Sequence, residues 1–560
     1  MSGPFLGIER VSLGPWRAFD RALERMLVHG GWENVRLVDG PGDGGADLIA
    51  DAQGKSWIVQ CKFRTNQGVF GSGPVEEVLL AHTLYNAEVA IVAVNGRYNS
   101  AAQETAERAR RNLGIDIRIW DADDLINIGR SLPASPIGRP PLRDYQVEAV
   151  DAIWSANLRG SGSALALLAT GLGKTRVAAE IIHRWLDSSP GDEVLVLAHT
   201  VDLVAQLERA LWRYLERDVH THQLHGSEKP VYAGGVTVAT QQSVQASDIA
   251  AIHEGRYGLV VVDEAHHAPA DGYASVIQVL APRFLLGLTA TPWRGDQRQL
   301  AEIFGDPVFT MGIVEGMQRG FLAEIDYRML MDDIDWQAVP AMTREKMTVR
   351  DLNKRLFVPE RDESVLEKIV EHMNRLARPK VLVFTRSIVH AEMIAGSLRS
   401  LGVDAACIHS RKGRVEIAAS LHRFSVLERA ALVTVDMLNE GIDLPDANMI
   451  VFLRVTHSRR IFIQQLGRGL RLAPGKESVI VLDFVADIRR IAAAIDLNSE
   501  AAARVEGGHE PLVLPLSRVV NFEGDSRATF FEQYLADIGH LQDKDDDAVV
   551  QFPGGGFEHW

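Results

Sequence analysis

Cysteine is almost absent: the chain has two, Cys61 and Cys407, in 560 residues. Thiols so far apart exclude a disulfide framework and offer no metal knuckle, so no zinc site is expected. Long apolar runs are missing as well, none approaching the roughly 18 residues that span a bilayer. The opening MSGPFLGIER lacks the basic segment and apolar stretch of a secretory leader, and a cytoplasmic protein is expected. Nor is there an excess of positive charge, since 59 Lys and Arg against 74 Asp and Glu leave a net charge of −15. A protein that coats nucleic acid over its whole surface is thereby excluded, because phosphate binding rests on Lys and Arg displacing counterions. A local basic groove is not excluded, as screening at physiological salt acts over about 8 Å. Acidic stretches such as DKDDDAVV lower the total without touching such a groove.

What is present is an alternating rhythm. At 46% hydrophobic residues the chain can bury several cores, and a norm of about 150 residues per domain suggests three or four domains. Residues 16–120 alternate helical patterns with the strand-like runs SWIVQCKF and EVAIVAVNG, which describes a small α/β domain. The prolines and small residues of SLPASPIGRPPLR then mark a linker. From Tyr145 to Val314 helices alternate with buried-strand runs (ALALLAT, EVLVLAH, GLVVVDEA, LLGLTATP), as a parallel sheet with crossovers requires. A less regular stretch, DDIDWQAVPAMTREKMTVRD, precedes a second such series: KVLVFTRS, AACIHS, AALVTVD, MIVFLRV and VIVLDF. From Leu497 the periodicity weakens, and a partly disordered extension is expected. The expected boundaries are 1–132 for the first domain, 133–141 for the linker, 142–316 and 373–496 for the two parallel-sheet domains, 317–372 for their connection and 497–560 for the extension.

Two motifs in the second domain point to phosphate chemistry. LATGLGKT follows an apolar run and precedes the helical pattern RVAAEIIHRWL, so Thr170, Gly171, Leu172 and Gly173 form a tight loop at a helix N-terminus. Backbone N–H groups there can wrap a phosphate, with Lys174 reaching the β and γ phosphates and Thr175 ligating Mg²⁺. Leu168 stands where the first glycine of such a loop is usual. LVVVDEAHH puts Asp263 and Glu264 at the C-terminal end of a buried strand, where parallel sheets present ligands. Asp263 suits a second Mg²⁺ contact, and Glu264 suits positioning or deprotonating an attacking water.

With these motifs, residues 140–490 resemble the superfamily 2 helicases, specifically the DEAH-type motors of type I and type III restriction systems. The resemblance implies ATP and Mg²⁺ as cofactors and DNA as partner. It implies that Arg143 and Gln146 in LRDYQ lie on the adenine side. VLVLAHTVDLVAQ and VTVATQQSV are similar to strand-tracking motifs, and LTATP to the motif that links hydrolysis to movement, with His266 coupling the site to its neighbours. In the third domain Gly441 and Asp443 of GIDLP resemble the element that carries cleft closure to the bound strand. Gln464, Arg468 and Arg471 of QQLGRGLR fall on one helix face at i, i+4 and i+7. The arginines resemble fingers that stabilise the charge developing on a transferred phosphoryl group, an effect of about 10³ to 10⁵ in rate in related NTPases.

In the first domain GPGDGGADLIADAQGKSWIVQCKF places Asp47 after a glycine loop at the start of a strand, with Gln60 and Lys62 sharing one face of the next. A carboxylate and a carbonyl-type oxygen can hold Mg²⁺, while a lysine can orient water and offset phosphate charge. Residues 16–125 resemble the Mrr-like branch of the PD-(D/E)xK nucleases, in which glutamine often replaces the middle acid. FDRALERMLVHGGW is similar to that family's first helix, with Asp20, rather than Glu24 one turn later, as the supporting acid. The implied fold is α/β throughout: a PD-(D/E)xK nuclease fold followed by two RecA-like parallel-sheet domains.

Other features take plainer expectations. His266 and His267, and the isolated His225 and His409, are expected to be loop or motif residues rather than metal ligands. Trp16, Trp32 and Trp57 are expected in the core. The expected whole is an ATP-dependent DNA helicase or translocase joined to a Mg²⁺-dependent endonuclease. It would act on double-stranded DNA with one strand tracked by the motor, in restriction or anti-phage defence. A repair helicase-nuclease and a motor whose front domain only clamps DNA are the alternatives. No methyltransferase signature is present, so target choice would fall to a partner protein of the defence system, to a modification or to DNA shape.

Overall fold

The computed structural model describes residues 16–38, 45–65, 67–85, 87–226, 234–246, 257–269, 271–290, 294–329, 346–348, 362–385, 387–435, 444, 446–453, 465–467, 469–473, 475–484 and 549–551. The chain divides into two compact units, the first comprising 1–167, 173–310 and 412–419 and the second 168–172, 311–411 and 420–560.

The first unit opens with α1 (Trp16–His29), whose Phe19, Ala22, Leu23, Met26 and Leu27 are buried at helical spacing. Then come β1 (Glu33–Leu37), β2 (Leu48–Ala52), β3 (Lys55–Lys62), β4 (Val69–Phe70), α2 (Gly73–Tyr85), β5 (Val89–Val94), β6 (Arg97–Tyr98), α3 (Ser100–Leu113), β7 (Asp116–Trp120) and α4 (Ala122–Ser131). The main sheet runs β1-β2-β3-β5-β7, antiparallel from β1 to β3 and parallel from β3 to β7. Gln53 and Gly54, both at positive φ, make the two-residue turn joining β2 to β3, as hairpin twist demands. All six residues of β5 are buried because helices cover both faces. On one side α1 and α4 pack over Trp57, Val59 and Ile91; on the other α2 and α3 pack over Ile58, Ala90 and Val92.

The linker is laid down as a strap. Ile137 N–H donates to His29 O (2.8 Å), His29 Nε2 meets Pro133 O (2.8 Å) and Arg217 N–H donates to Ala134 O (2.9 Å). Beyond it lie α5 (Asp144–Leu158), β8 (Ser163–Leu168), α6 (Lys174–Ser188), β9 (Glu193–Ala198), α7 (Val201–Trp212), β10 (Thr221–Leu224), β11 (Gly235–Thr240), α8 (Gln241–Ala246), β12 (Tyr257–Asp263), α9 (Asp271–Leu280), β13 (Phe284–Thr289), α10 (Arg294–Phe304) and β14 (Pro307–Met311). The sheet order is β10-β11-β9-β12-β13-β8-β14, with parallel pairing from β10 through β8.

Within this unit α1 and α7 form a polar seam. Arg21 pairs with Glu208, Glu24 with Arg209 Nε (2.5 Å), and Arg25 Nη2 donates to Glu216 O (3.1 Å). Trp212, at the end of α7, packs into the first domain's core.

The second unit contains α11 (Ile313–Gln318), β15 (Glu324–Met329), β16 (Lys346–Thr348), α12 (Asp362–Met373), β17 (Lys380–Thr385), α13 (Ile388–Ser400), β18 (Asp404–Ile408), β19 (Ala430–Thr434), β20 (Met449–Leu453), β21 (Ser478–Asp483) and β22 (Val549–Gln551). Its sheet, β15-β21-β20-β17-β19-β18, is parallel throughout. β16 pairs antiparallel with β22, the described part of the C-terminal extension; the expected disorder there otherwise lies outside the described residues. Among the described residues no helix is long and apolar enough to cross a membrane.

One tryptophan departs from expectation. Trp57 is core and Trp32 packs edge-on against it at 4.8 Å, but Trp16 is 46% exposed at the outset of α1, beside the Arg17 guanidinium. The buried stripe of α1 starts at Phe19, so the helix's first turn projects past the core.

Candidate active sites

The nucleotide-type loop is built at the C-terminal edge of β8. Leu168 ends the strand fully buried, so the loop turns at the later glycines: Gly171 at φ +93° and Gly173 at φ +79°. A β-carbon on Gly173 would come 2.7 Å from Gln146 Nε2, so this residue must be small as well as left-handed. Gly173 opens α6, whose first N–H groups have no partner of the regular helical kind. Gln146 is buried at the start of α5, its Oε1 accepting from Arg143 N–H at 3.1 Å. Gln146 of LRDYQ therefore lies against the loop, while Arg143 is exposed and joins it through its backbone N–H.

Asp263 closes β12, and Glu264 follows at φ +50°, a left-handed conformation uncommon outside glycine. This bend brings Glu264 Oε1 to 3.1 Å from Lys174 Nζ. Its Oε2 lies 3.3 Å from His266 Nδ1, which also meets Thr289 Oγ1 at 2.8 Å. Burial pushes the Glu264 carboxyl up, but the Lys174 ammonium and His266 outweigh it and hold the group well below the usual carboxylate range. His267 stacks on His199 at 4.0 Å. Thr289 belongs to the LTATP motif, so hydrogen bonding ties the DEAH turn to it. Thr170 Oγ1 is buried without a hydrogen-bond partner among the described residues, an orphan that a phosphate oxygen would satisfy. Thr175, in the first turn of α6, is half-buried.

Within the second unit, a β-carbon on Gly467 would meet Thr170 Cβ at 2.5 Å, and one on Gly171 would meet Arg471 Cγ at 3.4 Å. Arg471 is half-buried and bridges to Leu322. Gly441, Asp443, Gln464 and Arg468, together with Thr291 and Pro292 of LTATP, lie outside the described residues.

In the first domain, Asp47 sits just before β2, and its Oδ2 accepts from Cys61 N–H at 2.5 Å, clamping it to β3. Gln60 is fully buried; Lys62 emerges at the strand end. Both turn to one carboxylate: Glu77 Oε2 accepts from Gln60 Nε2 at 2.6 Å and meets Lys62 Nζ at 2.7 Å. Burial raises the Glu77 carboxyl, and the hydrogen bond and charge of Lys62 reverse that, leaving it below its ordinary value. Asp20 hydrogen-bonds the Cys61 thiol, and burial together with the carboxylates of Asp20 and Asp47 pushes that thiol well up, so Cys61 stays protonated. Glu24 turns instead to Arg209 across the seam, and burial raises its carboxyl. Asp20 and Asp47 thus meet Cys61, Asp20 at its thiol and Asp47 at its backbone N–H, whereas Gln60 and Lys62, on the other face of β3, turn together to Glu77.

Among the described residues no group of three or more His, Cys, Asp and Glu could hold a metal ion. The residues that could hold a divalent cation are the Asp47 carboxylate and the Gln60 amide. Gln60 Oε1 is buried without a hydrogen-bond partner among the described residues, and a hard cation prefers such an oxygen. Glu77 was not anticipated from sequence. The pair Glu76–Glu77 in GPVEEVLL is its only signal, and periodicity does not say which of two adjacent acids faces a strand. His225 meets Gln223 Oε1 at 3.0 Å and His409 lies 3.4 Å from Glu392, so each has a protein partner.

Three family models match the chain in order: "Restriction endonuclease" over residues 13–128, "Type III restriction enzyme, res subunit" over 139–294 and "Helicase conserved C-terminal domain" over 364–473. The chain therefore joins a restriction-endonuclease domain to the two halves of a restriction-type helicase. Among its relatives is the putative ATP-dependent helicase IRC3 of Saccharomyces cerevisiae, 26% identical over 62% of this chain and 52% of that one. Another is the type I restriction enzyme EcoAI endonuclease subunit of Escherichia coli, 26% identical over 62% of this chain and 46% of that one. The chain spans about half the length of these two relatives. The solved ATP-dependent Type ISP restriction-modification enzyme LlaBIII bound to DNA has the same fold, with TM-score 0.51 at 18% identity over 83% of this chain and 36% of that one.

Proposed function

We propose that the chain is an ATP-driven DNA translocase or helicase whose front domain is a Mg²⁺-dependent endodeoxyribonuclease, acting in the cytoplasm in restriction or defence against foreign DNA. One observation carries this: a loop lysine set against a strand-end glutamate, Lys174 and Glu264 at 3.1 Å, shares a unit with Gln60 and Lys62 gathered on Glu77 and with Asp47 held to the backbone of Cys61 between them. The domain boundaries remain those expected from the sequence.

In the motor, Lys174 neutralises phosphate charge, Thr175 and Asp263 hold Mg²⁺, and Arg143 and Gln146 seat the base. Glu264, kept ionised, releases Lys174 to the nucleotide and orients the attacking water, with His266 fixing its second oxygen. Gln464, Arg468 and Arg471 supply charge from the third domain, and Gly441 and Asp443 relay closure to the DNA strand. In the nuclease, Asp47 and Gln60 hold the metal, Lys62 orients water at the scissile phosphate, and Asp20 supports the site through Cys61. A divalent cation bound there would supply the positive charge that activates water and offsets charge developing at the scissile phosphate. A defence-system partner would complete target choice.

Purified protein with Mg²⁺ and ATP is expected to cut or nick DNA when linear, nicked, forked, methylated and single-stranded substrates are compared. Asp47→Ala and Lys62→Ala should abolish cutting and keep ATP turnover. Equal cutting by these variants would refute the assignment of the nuclease site.

A further inference from the structure

A glutamine where a metal site could use an acid raises a problem of polarity. Its amide ends in one acceptor and one donor, and only the oxygen can bind a cation. Something must therefore hold the amide with its oxygen toward the metal. Glu77, on α2, is placed to do so: an ionised carboxylate can only accept, so its contact with Gln60 at 2.6 Å must be made by Nε2. That leaves Oε1 facing the other way, fully buried and without a hydrogen-bond partner among the described residues. An oxygen stranded like this is unfavourable in the metal-free state, a cost that a cation removes.

The same Glu77 oxygen meets Lys62 Nζ at 2.7 Å, so one carboxylate sets both functional side chains of QCK. The loop that carries Asp47 is keyed to the same point. Gly45, at φ +94°, rests against Glu77, where an added β-carbon would lie 3.0 Å from its backbone oxygen and 3.1 Å from its Cβ. No larger residue would let the Asp47 loop approach α2 so closely.

We propose that Glu77 is a positioning residue of the nuclease site, which fixes the Gln60 amide so that Oε1 faces a divalent cation shared with Asp47 and which anchors the Lys62 ammonium. This rests on the nuclease function proposed above. Glu77 acts through Gln60 and Lys62 rather than on the cation itself.

The test uses the full chain and Mn²⁺ as probe, with binding measured by calorimetry and electron paramagnetic resonance and with cleavage measured as a function of Mg²⁺. The variants are Asp47→Ala, Glu77→Ala, Glu77→Gln and the exchange Gln60→Glu with Glu77→Gln. Removing a residue that orients a metal ligand commonly costs 10–100-fold in affinity. Glu77→Ala is accordingly expected to weaken Mn²⁺ binding about ten-fold or more and to raise the Mg²⁺ concentration for half-maximal cleavage by more than it lowers the rate at saturation. Glu77→Gln keeps the side chain's shape and covers the case in which alanine disturbs folding; it should show the same split. The exchange should recover Mn²⁺ affinity, because a carboxylate in place of the Gln60 amide offers oxygen whichever way it turns. Unchanged Mn²⁺ affinity in both Glu77 variants, alongside loss in Asp47→Ala, would overturn this proposal and leave the nuclease assignment standing. Wild-type protein that neither binds Mn²⁺ in an Asp47-dependent way nor cuts DNA would overturn both.

Discussion

The seam between α1 and α7 makes the sharpest energetic prediction. Glu208 is fully buried, and burial alone would raise its carboxyl; Arg21, with hydrogen bonds from Thr221 and Gln223 Nε2 (2.7 Å), instead brings it below its ordinary value. The Arg21→Ala variant leaves that carboxylate with two neutral donors and no cation. Breaking a buried pair by removing one partner costs about 3–5 kcal/mol. The surviving hydrogen bonds and the 22% exposure of the Arg21 side chain place this case at the low end, about 3 kcal/mol. Glu208→Gln should cost less, because Arg21 can turn to water, and the double variant should cost less than the sum of the two. At roughly 2 °C per kcal/mol for a unit of this size, Arg21→Ala should lower the relevant calorimetric transition by about 6 °C. The same variant should speed proteolysis within 133–141, whose strap hydrogen bonds join the two domains. If both single variants melt within a degree of wild type, the buried pair does not hold the domains together.

Other consequences are local. Gly173→Ala forces a β-carbon against Gln146 Nε2 at a left-handed φ, which alone costs about 1–2 kcal/mol; ATP turnover should fall at least about ten-fold (a 1.4 kcal/mol change), as steady-state kinetics would show. His29 is lowered by burial, with its contact to Pro133 O opposing, so the folded state favours the neutral ring. Its stabilising contribution is therefore complete above the usual imidazole value of about 6.5 and declines as pH falls below it. Melting temperature should drop on acidification through that window, and His29→Gln should flatten the slope.

Much of the second domain's loop and acidic turn was legible because the proposed phosphate chemistry imposes spacing. GKT must follow a strand and open a helix, and paired acids must end a neighbouring strand, so Lys174, Asp263 and Glu264 could be placed from the sequence alone. The parallel sheets were legible for a related reason: strands buried on both faces read as unbroken apolar runs, as VAIVAV and GLVVVD do. Leu168 shows the limit of pattern matching, since the loop turns at Gly171 and Gly173 and the displaced position joins the core. Glu77 and the seam were hidden for a different reason. Glu77 acts across 15 and 17 residues from Lys62 and Gln60, and Arg21 meets Glu208 187 residues away. Such contacts depend on how helices dock, which local periodicity does not encode. Trp16 was misplaced because composition puts tryptophan inside, whereas the end of a helix can carry it past the core.

The most direct measurement is DNA-stimulated ATP turnover and DNA cleavage by wild type and Lys174→Ala, side by side. Loss of turnover in the variant, with ATP-dependent cutting lost as well, is expected if the loop lysine serves a motor that delivers DNA to the nuclease. Turnover that survives Lys174→Ala would contradict the motor assignment outright.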